Sequence, residues 1–305
     1  MMNKTRTLTE LLLLMVCIGA ATVVGSAAAA EGDPPESAGA GRVSPDGQPA
    51  APSSSWTQRA KKVNREVLTA DDLGKLSLGE PPNRRGKIVL RRINPADPHI
   101  DWNADPTAIP YVTYQFEQRT GLPTYTNNDG LNVATDELFE YPLVYLTGHS
   151  GWQFNEEEAD NMTKFVERGG TVFLDDCYVR RSTFTDSVGP ESSKIVPGAE
   201  LRQVIWHDEY TSDLFTLCYS FPPAGWPGQA KMFGNLGSNF WQYVLHDGRP
   251  AIFFTPNDDG CAWEVSSPPT ASNPIGEGIG HGGSNEDREK CYQWMTDWFL
   301  FALTH

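Results

Sequence analysis

The sequence predicts an α/β protein built on a mostly parallel sheet with an antiparallel hairpin near one edge. Two observations carry that expectation. From Pro142 to Cys177 an apolar run, an amphipathic helix and a second apolar run follow one another, the pattern of a βαβ unit whose strands are parallel and buried on both faces. Further on, Phe240–Leu245 and Arg249–Phe254 flank Asp247-Gly248, a turn dipeptide that joins neighbouring antiparallel strands.

In chain order, the folded domain begins with a strand at Lys87–Ile93 (KIVLRRI). Asp105-Pro106 then opens a helix whose apolar positions Ile109, Val112 and Phe116 share one face and which ends near Gly121. Pro110 fits only the first turn of that helix. A turn at Asn127–Gly130 precedes the short run Leu131–Val133. In the central unit, Leu143–Thr147 and Thr171–Leu174 are the strands. Between them Asn155 and Glu158 form a capping box, Ala159, Met162 and Val166 face inward, and Gly169 ends the helix. A second capping box, Ser284 with Asp287, starts a closing helix with Cys291, Trp294, Met295, Trp298 and Ala302 on one face.

The 305 residues are 39% hydrophobic and 21% charged, with a net charge of −15 that argues against a nucleic-acid backbone or an anionic membrane surface as the main partner. Lys4 and Arg6, an apolar run from Leu11 to Val24 and the small residues Ala27–Ala30 read as a signal peptide over residues 1–30. The expected destination is the periplasm or the cell exterior, with no membrane span retained after cleavage. Val16 before Cys17 does not suit a lipoprotein signal. Losing the leader's two cations and one anion takes the charge from −15 to −16. Residues 31–55 hold one large apolar residue, Val43, and read as a disordered linker. Residues 56–86 form an N-terminal extension with a basic stretch at Gln58–Arg65, and 87–305 the α/β domain. Four cysteines remain after the leader, Cys177, Cys218, Cys261 and Cys291. An even number in an exported chain suggests disulfides, with three possible pairings, and no C-x-x-C zinc knuckle occurs.

Ligands of open α/β sheets bind beyond the carboxyl ends of the strands. That rule selects His149, after Leu143–Thr147, and Asp175, Asp176 and Tyr178, after Thr171–Leu174. It also selects Asn257, Asp258, Asp259, Trp263 and Glu264, beyond Arg249–Phe254. His207, with Asp208 and Glu209, forms a further polar set of unassigned position. An imidazole beside carboxylates can act as a base oriented by an acid, or the two can hold a divalent metal. The candidate catalytic residues are therefore His149, Asp175 and Asp176, and the candidate metal ligands His149 and Asp176. The same aspartates could instead cap turns.

The segment EYPLVYLTGHSGWQFNEEEADNMTKFVERGGTVFLDDC, the His207 region, DGRPAIFFTPNDDGCAWE and the closing helix resemble the bacterial domain of unknown function 4159 family, over roughly Lys87–Thr304. The most specific parts are Tyr141-Pro142, Gly148-His149, Gly169-Gly170, Asp175-Asp176 and Gly248-Arg249. The resemblance implies the class I glutamine amidotransferase-like superfamily, near the ThuA-like proteins, and so a flavodoxin-like three-layer α/β/α fold. It supplies no catalytic residues. Glutaminases of this architecture carry a cysteine nucleophile after a parallel strand, where Cys177 lies. Its neighbours Asp176 and Tyr178 are not the small residues a nucleophile elbow requires, and adjacent carboxylates raise a thiol pKa. Half of a disulfide is the preferred reading for Cys177.

Three functions follow. The first is binding of a polar ligand, a sugar or peptide, in a crevice rimmed by Trp152, Tyr178 and Trp263, with His207, Asp258 and Asp259 as further ligand contacts. The second is hydrolysis by His149 with Asp175 or Asp176, with a divalent metal as the admissible cofactor. The third is a structural part in the cell envelope.

Overall fold

The computed structural model describes residues 86–178, 183–221, 240–279 and 284–305. The predicted leader, the linker and the extension up to residue 85 lie outside the described residues. The elements run β1 (Leu90–Arg92), α1 (Ala108–Thr120), β2 (Leu143–Gly148), α2 (Glu156–Glu167), β3 (Thr171–Asp176), α3 (Thr183–Ile195), β4 (Arg202–Gln203), β5 (Gln242–His246), β6 (Arg249–Thr255), α4 (Asp259–Trp263), β7 (Val265–Ser267), β8 (Glu277–Gly278) and α5 (Asn285–Thr304).

Six strands form the main sheet in the order β1-β2-β3-β6-β5-β4. Neighbouring pairs from β1 to β6 are parallel, and β5 and β4 close one edge in antiparallel pairing. The hairpin turn between β5 and β6 places Asp247 and Gly248 at positive φ, which a two-residue turn of this hand requires. On the other edge, parallel bridges Ile88↔Thr124 and Ile93↔Leu131 lay the chain after α1 along the free side of β1. The Lys87–Ile93 run is thus a three-residue strand with single bridges at its flanks, and Leu131–Val133 contributes a bridge instead of a strand.

Side chains alternate between two cores, as period-2 strands require. Tyr145, Phe173 and Phe253 face α1 and α5, together with Trp241, Trp263, Trp294 and Trp298. Val144, Leu146, Val172, Leu174, Ile252 and Phe254 face α2 and α3. The result is the flavodoxin-like layout of a sheet between two helical layers. Both capping boxes form: Asn155 Oδ1 accepts from Glu158 N at 3.0 Å, and Ser284 Oγ from Asp287 N at 3.1 Å. Helix α3 has no counterpart among the elements expected from sequence, and Gly189-Pro190 lies within it. It runs through Pro190 since Phe184, Val188 and Ile195 are buried and its polar side chains hold the loop after β2. Thr183 Oγ1 accepts from Gly151 N, Ser187 Oγ from Trp152 N and Glu191 Oε2 from Phe154 N. Among the described residues no helix is long and apolar enough to cross a membrane.

Candidate functional site

The strand order reverses between β1 and β2. The chain leaves β1 toward the face of α1, returns, and leaves β2 toward the face of α2, so their carboxyl-end loops diverge and open a crevice. Segment 94–107 after β1, His149 after β2, Cys177 after β3 and Asp258 after β6 all converge there.

At the floor, Asp105, Cys177, Asp258 and Cys261 are buried, and one ligand-type atom from each lies within 4.8 Å of the others. Cys177 Sγ and Cys261 Sγ are 3.8 Å apart, and they donate to the same oxygen, Asp105 Oδ1, at 3.2 and 3.3 Å. The contact with Cys261 favours the Cys177 thiolate, but burial and the carboxylates of Asp105, Asp258 and Asp175 outweigh it and push the thiol above its ordinary range. Cys261 is pushed up further by its contact with Cys177, by burial and by Asp105 and Asp258. All four cysteines of the domain are free thiols, so the expected disulfides do not form here. Cys218 instead packs against the core beside α5, and Cys291 Sγ faces Asp259 Oδ1 at 3.6 Å.

At the mouth stands His149, its side chain 44% exposed. Asp101 holds it twice: Oδ2 lies 2.5 Å from Nδ1, and Oδ1 accepts the His149 backbone N–H at 2.8 Å. The opposite ring nitrogen, Nε2, lies 3.4 Å from Cys177 Sγ. Burial would raise the Asp101 carboxyl, but these bonds from His149 outweigh it and hold it below the usual carboxylate range. Gly148 permits the approach, since a Cβ there would come within 2.9 Å of Asp101 Oδ1 and strike Ile100. The ring of Tyr178, an exposed residue, meets His149 edge-on at 6.4 Å.

A layer of buried polar groups beneath fixes these loops. Asp175 Oδ1 accepts from Asp259 N at 3.1 Å, while Oδ2 accepts from Gly260 N at 2.6 Å and Tyr145 OH at 2.9 Å. Burial, then Asp259, Asp105 and Asp258, push its carboxyl well above the usual range. Asp259 Oδ2 accepts from Trp241 Nε1 and Thr255 Oγ1, and burial pushes that carboxyl up to about 6. Asp176 accepts from the Thr185 hydroxyl of α3. Gly260 is needed because a Cβ there would collide with Asp105, Tyr145 and Asp175. Arg92 of β1, fully buried, donates to the carbonyls of Trp102 and Asp105 at 3.0 and 2.5 Å and so ties down the segment that carries Asp101 and Asp105.

Of the residues selected from sequence, the fold brings His149 and Asp258 into the crevice, along with Cys177, and sets Asp175, Asp176 and Asp259 beneath it. His149 bonds Asp101 rather than Asp175 or Asp176. Trp152 and Trp263 do not rim an opening. Trp152 is 4% exposed and packs on Phe154 and Phe184, while Trp263 is fully buried against Tyr145 and Phe173. His207, exposed, follows edge strand β4, beside Trp206. Asp101 and Asp105 were not singled out, although applying the strand-end rule to the loop after β1 would have reached them.

A family model described as a domain of unknown function (DUF4159) matches residues 90–303. No curated protein matches the sequence.

Proposed function

The chain belongs to this family of domains of unknown function, and from that premise we propose that it is a hydrolase acting on a polar substrate at the strand-end crevice. His149 is the proton acceptor and Asp101 the residue that orients it. The observation that carries this reading is the Asp101–His149 pair: a carboxylate fixed to Nδ1 selects the tautomer whose Nε2 is free to take a proton. A half-exposed ring at the switch point of the sheet is where substrate and water have access. The burial of Trp152 and Trp263 weighs against a crevice built for stacking on sugars, and so favours turnover over simple binding.

A nucleophilic Cys177 is the second reading, favoured by its 3.4 Å contact with Nε2. Against it stand the 3% exposure of the residue and a thiol pushed up by burial and carboxylates. Placement in the glutamine amidotransferase-like superfamily is supported by the strand order and by Cys177 directly after β3. Action outside the cytoplasm is supported by the leader sequence alone.

The full chain should hydrolyse at least one class among p-nitrophenyl esters, phosphoesters and glycosides and peptide anilides. His149→Ala should then lose about 100-fold or more, and Asp101→Asn less, with unchanged circular dichroism. Rates that both variants leave intact would remove His149 from the chemistry. Iodoacetamide labelling of Cys177 in step with inactivation would favour the thiol reading.

A further inference from the structure

We infer that Asp105, Cys177, Asp258 and Cys261 form a divalent metal site, zinc being the ion that fits the donors best. The inference goes beyond hydrolysis by His149 and stands whether or not that reading holds. Its first support is spacing. Two sulfurs about 2.3 Å from one zinc at the tetrahedral angle lie about 3.8 Å apart, and a sulfur and a carboxylate oxygen about 3.5 Å apart. The observed separations are 3.8 Å for the two sulfurs and 3.2 and 3.3 Å from the sulfurs to Asp105 Oδ1. A disulfide would require about 2.05 Å.

The second support is charge. Two thiols and two carboxylates, all buried, are gathered together, and desolvated carboxylates are costly without a cation. Among the described residues, Arg92 is a basic group whose charge reaches Asp105 and Cys177, and its guanidinium is occupied with backbone carbonyls. A divalent cation would stabilise both thiolates and both carboxylates at once.

The third support is an independent orphan. Asn257, next to Asp258, is 1% exposed, and neither atom of its side-chain amide has a partner among the described residues. Buried amides are rarely left so unless something completes them. Thiolate donors select zinc-like ions over calcium or magnesium, which prefer all-oxygen shells. Because all four positions are filled by protein, the site has the closed character of a structural centre. It would lock the loops after β1, β3 and β6 together, with His149 just outside the donor set.

The test uses the full chain purified under reducing conditions. Elemental analysis should find about one equivalent of zinc. Co2+ exchange should give a thiolate-to-metal charge-transfer band in the near ultraviolet. Cys177→Ser, Cys261→Ser and Asp258→Asn should lower zinc to less than about 0.1 equivalent, whereas Cys218→Ser keeps it. Should the cysteine variants fail to fold, the Co2+ band of the wild-type protein decides. A folded wild-type chain with no zinc and no cobalt band would overturn the inference. So would metal-free protein carrying a Cys177–Cys261 disulfide. Hydrolysis lost in His149→Ala with zinc retained supports the two readings separately, and failure of either leaves the other measurable.

Discussion

Two aspartate pairs at the ends of adjacent parallel strands, Asp175-Asp176 closing β3 and Asp258-Asp259 after β6, look alike in sequence and serve different ends in the fold. Asp175 takes two backbone N–H groups and a tyrosine hydroxyl. Asp259 takes an indole and a threonine hydroxyl, and Asp176 takes the Thr185 hydroxyl. Asp258 alone among them belongs to the donor cluster with the two thiols, on a residue held at φ 60°. A carboxylate whose lone pairs are used by donors of its own fold is part of the scaffold. One turned toward thiols and another carboxylate, as Asp258 is, has the surroundings of the proposed ion site. Adjacency in sequence says nothing about which it is; the donors that surround each oxygen decide.

The largest test of that contrast exchanges oxygen for nitrogen without changing shape. Asp175→Asn turns an amide N–H against backbone N–H groups that need an acceptor, and leaving one buried donor unsatisfied costs about 2 kcal/mol. Asp258→Asn should cost the metal-free protein less than Asp175→Asn does, since Asn tolerates the left-handed backbone at this position. Urea unfolding in the presence of a chelator measures both. Equal losses in the two variants would erase the distinction. A smaller effect is expected at Thr185→Val, which removes the hydroxyl that Asp176 accepts from and should cost about 1 kcal/mol. Zinc content should be unchanged there, because Asp176 is outside the donor set. A loss of metal in that variant would return Asp176 to the site.

The same division explains what was legible in the sequence. Both capping boxes, the hairpin and the central βαβ unit depend on residues within a few positions of each other or on apolar runs of characteristic length, so local chemistry specifies them. Helix α3 was not legible, since the contacts that sustain it across Gly189-Pro190 come from the loop after β2, more than 30 residues upstream. The site was half visible. The strand-end rule located His149, the aspartate pairs and Cys177, but Asp105 is 72 residues from Cys177, which is 84 from Cys261. Only the parallel crossovers bring them together. Asp105 was read as a helix opener because Asp-Pro is a good start signal, and that local reading obscured a carboxylate pointed at two thiols. The cysteines were read as disulfide partners because their number was even. The 3.8 Å spacing of Cys177 and Cys261 in the fold, with the Asp105 carboxylate shared between them, is instead that of the proposed ion site.

Asp297 extends the comparison to a buried carboxylate far from the crevice in the chain. Like Asp175 it accepts backbone N–H groups, from Cys218 at 2.9 Å and Tyr219 at 3.2 Å. Burial pushes its carboxyl well above the usual range, and those two bonds only partly offset this. The folded chain therefore holds this proton to higher pH than the unfolded chain does. Below an unfolded value of about 4 both states are protonated and the full stability is present. As pH rises from there through the folded value, the unfolded chain releases the proton first and stability is lost. Asp297→Asn removes the titration, so its urea midpoint should fall less than that of the wild type as pH rises from about 4 to 7. Parallel curves would mean that Asp297 is ionised in the folded chain at acid pH, with its two backbone bonds outweighing burial. In that case acceptance of backbone N–H groups would be sufficient to keep a scaffold carboxylate charged. The raised carboxyl of Asp175 would then have to come from the neighbouring acids Asp105, Asp258 and Asp259 rather than from burial.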